Sequence, residues 1–217
     1  VILALSPDEY EAMLARGWRR MGIHFFRPAC PACTQCRGLR VPVPQFSPSK
    51  SQRRIQKLNQ SLRLVVQPPT LTGEHLRLWN AYHQFMHGHR NWPHKPIDAA
   101  EYHESFLSGA FSFSREFLYY DAQKLVAVGL VDQTPNSLSS IYFYHDPAYR
   151  DRALGVHSLL AEIQHARENS LQHAYLGFWV KDCPSMNYKT QYRPHELLDG
   201  FPAEDHPPVW SPAESNQ

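Results

Sequence analysis

No apolar run in these 217 residues approaches the length that a bilayer crossing requires, and the opening VILALSPDEYEAML turns polar and acidic too early for a signal peptide. A spanning or secreted protein is therefore not expected; the cytoplasm is the expected compartment. An excess of one charge is equally lacking. Lys and Arg number 22 against 20 Asp and Glu, a formal net charge of +2, so any nucleic-acid contact has to come from a local basic patch. Cysteine is scarce too. Only four occur, and three fall within residues 30–36, which argues against a disulfide framework and for a ligand cluster. What is abundant is ordinary core material: 42% of residues are hydrophobic and 19% charged, enough for one domain of usual size or two small ones. The chain starts at Val1 rather than Met, so it is expected to be a piece of a longer one.

Local patterning divides the chain into a small N-terminal subdomain bearing the cysteines and a basic helix, residues 1–68, a catalytic domain, 69–200, and a tail, 201–217. In the first segment SPDEYEAMLARGWRR reads as a helix, with Ser6 as N-cap, Pro7 at the first helical position and Gly17 as the stop; Leu5 and Met13 are expected to face a core. Short strand-like pieces at Ile23–Arg27 and Arg40–Val43 flank the cysteines. A second helix starts at Ser47 or Ser49 and carries Arg53, Arg54 and Lys57 on exposed turns, before LRLVVQPP closes the segment as a strand. The second segment opens with helical spacing of Leu76, Trp79, Tyr82, Phe85 and Met86, read as core, and a further helix at Ile97–Leu107. FLYYDAQ, KLVAVGLVDQ and SLSSIYFYHDP then read as an antiparallel meander. A helix over Leu154–Asn169 and a buried strand, HAYLGFWV, follow. The Pro-rich end, 201–217, is expected to be a mobile tail.

The order meander, helix, strand, helix over Glu116–Leu198 resembles the α+β fold of acetyltransferases (GNAT-type), in which strands splay beside a helix whose N-terminus binds donor phosphates. Arg152-Ala153-Leu154-Gly155-Val156-His157 nearly satisfies that fold's R-x-x-G-x-G/A motif. His157 replaces the last small residue, which disfavours the close backbone approach that coenzyme A needs. The CPACTQC run places Cys30, Cys33 and Cys36 at a spacing that turns three sulfurs inward on one loop, suited to zinc or an iron–sulfur cluster once a fourth ligand is found. Cys183 reads as a buried small side chain.

Longer strings carry a more specific likeness. FFRPACPACTQCRGLRVPVPQFSPSKSQRR, VGLVDQ, LSSIYFYHDP, LGVHSLL and YLGFWVKDCPSMNYKTQYRPHEL together resemble the aminoacyl-tRNA-protein transferases of the arginyl and bacterial leucyl kind, over roughly Asp8–Gly200. The resemblance implies an aminoacyltransferase that moves arginine or leucine from tRNA to the N-terminal Asp or Glu of an acceptor protein, tagging it for degradation. It also implies a further cysteine upstream of Val1. The chemistry is aminolysis of an activated ester, served by positioning, a base for the ammonium proton and donors for the oxyanion.

The site is expected at Asp132, Tyr144, Tyr188 and Lys189. Asp132 is an acid at the end of an apolar strand, placed to accept an ammonium or orient a base, and the two tyrosines and the lysine are hydrogen-bond donors. The tRNA is expected on Arg150, Arg152 and Gly155 at a helix start, with Arg53 and Arg54 on its backbone or on the acceptor's carboxylate. Zinc or an iron–sulfur cluster is expected at Cys30, Cys33 and Cys36, with no nucleotide cofactor, and the protein is expected to be a monomer. The competing readings are a coenzyme A-dependent N-acyltransferase and a noncatalytic tRNA- or metal-binding module on the same scaffold.

Overall fold

The computed structural model describes residues 1–213. Ser6 opens helix α1 (Pro7–Ala15) through a reciprocal capping box with Glu9, and Gly17 follows with a φ of 82°, so the helix starts and stops where the sequence indicates. Tyr10 and Leu14 are its buried residues, with Leu5 and Met13 packed partly against them. A hairpin the sequence does not announce, β1 (Arg19–Met21) and β2 (His24–Phe26), comes next. Strand β3 (Arg37–Pro42) follows the cysteine loop, and α2 (Lys50–Leu58) is capped by Ser49.

Strand β4 (Arg63–Gln67) leads to α3 (Gly73–Arg90), the short α4 (Ala99–Tyr102) and a π-type turn at His103–Leu107. The expected meander is present as β5 (Ser114–Asp121), β6 (Lys124–Gln133) and β7 (Ser137–His145), all antiparallel. A 3-10 turn (Pro147–Arg152) feeds α5 (Leu154–Glu168), which crosses over to β8 (His173–Trp179), parallel to β7. Strands β9 (Glu196–Leu198) and β10 (Trp210–Pro212) complete one eight-stranded sheet in the order β10-β9-β3-β8-β7-β6-β5-β4. The meander, the crossover helix and the parallel return strand of this α+β architecture agree with the expectation, whereas a 3-10 turn (Asn187–Gln191) and β9 stand where a closing helix was expected.

Two further expectations need correction. β3 comes from the 1–68 segment, expected as a small N-terminal subdomain, yet it lies between β8 and β9, so that segment supplies an interior strand of the common sheet. The 201–217 segment is not wholly a loose tail, because Trp210–Pro212 pairs with Glu196–Leu198 and the Trp210 indole donates to the Ala15 carbonyl at 2.9 Å; residues 214–217 lie outside the described residues.

The sheet is covered on both faces. Phe117 and Tyr119 of β5 join the cluster under α5, whereas Leu118 between them joins the cluster under α3 and α4, the alternation a pleated strand imposes.

Candidate active site

β7 and β8 pair only over Ser137–Ser139 and His173–Tyr175, although they continue to His145 and Trp179. Where they part, β7 carries a bulge: Tyr142 and Ser140 oppose the consecutive residues Leu130 and Val131, leaving Ile141 extra. Such an insertion bends a strand and re-aims its side chains. The opening is a cleft of about 690 Å³. Ile141, Phe143, Val156, Leu159 and Leu176 give it apolar walls, joined by Met86 of α3 and by Tyr82, which also packs against the cluster under α3 and α4. Its polar lining includes Ser140, His145, Arg150, Ser158, Glu162 and Lys189, with Arg90, Ser185 and Tyr188 at its margin.

Helix α5 starts at this cleft. Ala153 holds a left-handed φ of 51° and no side chain caps the helix, leaving first-turn N–H groups for an anion. Gly155 is exposed in that turn, and a Cβ there would meet nothing nearer than the Phe143 ring at 3.9 Å. Packing therefore does not demand glycine; the bare backbone faces the cleft. Arg150 stands beside it, about half exposed at 54%.

Arg152 does something else. Its guanidinium donates to the Asn59 side chain, the Leu58 carbonyl, Ser61 and Asp121, and the Asn59 amide returns a bond to its carbonyl. It rivets the end of α2 to the start of α5. Arg53, Arg54 and Lys57 are exposed on α2, and none has a carboxylate partner among the described residues.

The floor of the cleft holds an acid that the sequence reading passed over. Glu162 is 1% exposed; its Oε1 accepts from the Ser158 hydroxyl at 3.0 Å, which in turn accepts from the Tyr119 hydroxyl at 3.1 Å. Oε2 has no partner. Burial holds this carboxyl up at about 7, against an ordinary value near 4.5, with Ser140, Ser158 and Arg19 pulling the other way. Lys189 lines the same space, donating to the Phe178 carbonyl at 2.6 Å. Burial, then the charge of Arg19, bring its ammonium down to about 8. Arg19 is itself buried, donates to the Ser140 carbonyl and leaves Nη1 unpartnered. Gly177 lies beside both cations, and its φ of 85° calls for glycine there, since a Cβ would make only ordinary contact with them, 3.5 Å from Lys189 Nζ and 3.7 Å from Arg19 Nη2.

One signal for Glu162 was present. Leu154, Ser158, Glu162 and Ala166 form an i, i+4 stripe on α5, all buried, and an acid on such a stripe is unusual. Arg19 carried no comparable mark, since the β1–β2 hairpin was not foreseen.

Of the other expected residues, Tyr188 lines the cleft and is 44% exposed. Asp132 and Tyr144 do not line it. Asp132 is 0% exposed and held by Arg20, Nε to Oδ2 at 2.9 Å and Nη2 to Oδ1 at 2.5 Å, with the Ser114 hydroxyl donating at 3.1 Å. Tyr144 is 0% exposed in the cluster under α3, its hydroxyl 2.8 Å from that of Tyr102.

The thiols also differ from expectation. Cys30 and Cys33 are exposed and Cys36 is half-buried. Burial, then the neighbouring Cys33 and Cys30, raise the Cys36 thiol, so the three share one loop. Among the described residues no three Cys, His, Asp or Glu side chains converge into a metal-holding group, and Cys30, Cys33 and Cys36 by themselves offer three thiolates, one fewer than a zinc or iron–sulfur site takes. Cys183 is only partly buried, its Sγ 3.3 Å from the Ser185 hydroxyl.

Comparison with known proteins adds the family. Models described as arginine-tRNA-protein transferase, N terminus and C terminus, match residues 2–54 and 74–199. An aspartate/glutamate leucyltransferase of Helicobacter hepaticus is 36% identical over 95% of this chain and 86% of that protein. One of Campylobacter jejuni subsp. jejuni is 39% identical over 90% and 82%. A crystal structure of FemX superposes with a TM-score of 0.50 at 10% identity, over 81% of this chain and 61% of that one, a likeness of fold alone. With both family segments matched in order on one sheet, and relatives aligned along nearly their whole length, the chain belongs to the arginine-tRNA-protein transferase family.

Proposed function

We propose that this protein transfers leucine from leucyl-tRNA to the N-terminal Asp or Glu of an acceptor protein. The observation that carries this reading is the cleft between the parted strands: apolar walls end at an uncapped helix start, with Glu162 and Lys189 at the floor. Leucine suits those walls. An arginyl group calls for a carboxylate along the walls, and the one acid among the described lining residues, Glu162, lies at the floor.

The acceptor's α-amine attacks the carbonyl that joins leucine to the terminal ribose; an N–C bond forms, the C–O bond to the ribose breaks, and the ribose oxygen leaves as a hydroxyl. Lys189, largely protonated at neutral pH, and Tyr188 are donors for the oxyanion or for the acceptor's side-chain carboxylate. The tRNA's acceptor end runs over the first turn of α5 and Arg150, with its backbone along Lys50, Arg53, Arg54 and Lys57 of α2. Arg152 supports this track by fixing α2 to α5. The Cys30–Cys36 loop is left outside the step. We place the protein in the cytoplasm as a monomer; no helix among the described residues is long and apolar enough to cross a membrane.

The test uses a peptide beginning with Asp or Glu and tRNA charged in separate tubes with labelled leucine or arginine. Label on the peptide from the leucine tube alone is expected. Label from neither, with both charged tRNAs bound, leaves a tRNA-binding module, and thermal protection by acetyl-coenzyme A would favour the acyltransferase alternative.

A further inference from the structure

The attacking α-amine arrives as an ammonium, and a nitrogen without a lone pair cannot form the new bond. Some group in the cleft has to take one proton. Lys189 is poorly suited, because it is mainly charged at neutral pH and already donates to the Phe178 carbonyl. His145 turns its Nδ1 to the Asp146 carbonyl at 2.9 Å, leaving Nε2 as a rival. Glu162 has the more complete setting. The Tyr119 and Ser158 hydroxyls lock Oε1 in place, while Oε2 is buried at the cleft floor with no partner. The neighbouring strand leaves space for this arrangement: a Cβ on Gly129 would stand 3.2 Å from Ser158 Oγ and 3.6 Å from Glu162 Oε1, so any side chain there would crowd the pair. An unpartnered carboxyl oxygen is costly to bury, and the cost is offset when a cation arrives from the substrate.

We propose that Glu162 is the catalytic base of the transfer, its Oε2 taking a proton from the acceptor's α-ammonium. This rests on the transferase reading above. The balance is closed: an ammonium, an ester and a carboxylate become an amide, a ribose hydroxyl and a carboxylic acid, with one of the ammonium's three protons on Glu162, one on the ribose oxygen and one kept on the amide nitrogen. Burial, then Ser140 on β7, Ser158 on its own helix and Arg19 on β1 set the titration of Glu162, and the Glu162 charge in turn helps raise the hydroxyls of Tyr119 on β5, Tyr188 in the 3-10 turn (Asn187–Gln191) after β8 and Tyr192 just past it. Arg19 and the two serines favour the charged form, whereas burial opposes it.

The experiment compares wild type with Glu162→Gln, Glu162→Asp and His145→Gln. It measures single-turnover transfer from charged tRNA to an Asp peptide between about pH 5 and about pH 9, with donor affinity from filter binding and thermal unfolding alongside. Wild type is expected to lose rate as pH falls through about 7. E162Q should lose that acid limb and run roughly 10²- to 10⁴-fold slower at saturating donor, with donor affinity unchanged and partial recovery in E162D. Ser158→Ala, which removes a bond to Oε1, should move the limb's midpoint upward, and this variant carries the test if E162Q does not fold. The role of Glu162 is overturned if E162Q keeps both rate and limb, if the limb vanishes in H145Q instead, if the S158A midpoint stays fixed, or if E162Q weakens donor binding with an unchanged saturating rate. Wild type that transfers from neither leucyl- nor arginyl-tRNA overturns the transferase reading and this proposal together.

Discussion

Asp132 and Glu162 are both fully buried acids, and their partners decide what each can do. Arg20 engages both oxygens of Asp132, so its charge is matched and it has no lone pair facing the cleft. Removing one member of such a pair leaves an uncompensated charge, so Asp132→Asn should cost about 3–5 kcal/mol. A double variant, Arg20→Met with Asp132→Leu, should recover most of that, read by urea unfolding. Activity in D132N should fall only with the folded fraction; a loss of rate in fully folded D132N would return Asp132 to the chemistry. The sequence marked Asp132 because an acid in an apolar strand stands out, but a one-dimensional pattern does not show Arg20 lying opposite. Tyr188 and Lys189 were singled out because their MNYK run resembles the family's, and both line the cleft. Tyr144 was not, since the face a strand residue takes depends on the bulge at Ile141.

At the scale of elements, the start of α5 combines a weak helix former with an open backbone. Gly155→Ala should fit, since its Cβ meets only Phe143 at 3.9 Å, and should stabilise the fold by about 0.5–1 kcal/mol. Its methyl group should nonetheless weaken charged-tRNA binding if phosphates approach this backbone; improved stability with unchanged affinity would remove the donor from this turn. Helix α2 makes a second claim. Arg53, Arg54 and Lys57 are exposed, so replacing all three with Ala should leave the melting temperature nearly unchanged. The slope of log affinity against log salt should flatten by roughly 0.7–0.9 for each phosphate that is no longer neutralised. Capping made α2 readable in outline and apolar spacing made α5 so, whereas the bond network joining them through Arg152 is a tertiary fact.

For the whole molecule, two buried groups tilt stability in opposite directions with pH. Glu162 titrates near 7 when folded and near 4.5 otherwise. Between those values the unfolded chain has released a proton that the folded chain keeps, so stability falls as pH rises through that window. Burial, and then Arg152, hold His157 down to about 4 against an ordinary 6.5. Between these the unfolded chain binds a proton that the folded chain refuses, so stability rises with pH. Each effect is worth roughly 3 kcal/mol at most, and in the wild type they largely offset. Denaturant unfolding of E162Q should therefore show stability rising from about pH 4 to about 6.5, and His157→Asn should show it falling from about 4.5 to about 7. Flat profiles in both variants would contradict these environments.

The meander, the crossover helix with the strand after it, the capped helices, the basic face of α2 and the family were determined by the sequence itself, because periodicity, capping and turn chemistry are local and long motifs are shared among relatives. Which strand lies inside the sheet, which arginine neutralises which acid, where β7 leaves β8, and whether the thiols of residues 30–36 meet were decided only by the tertiary structure. These are contacts between residues far apart in the chain. Arg20 and Asp132 are 112 positions apart, and Arg152 and Asn59 are 93; no local pattern encodes a partner at such a distance, and burial gives each of those contacts its energetic weight.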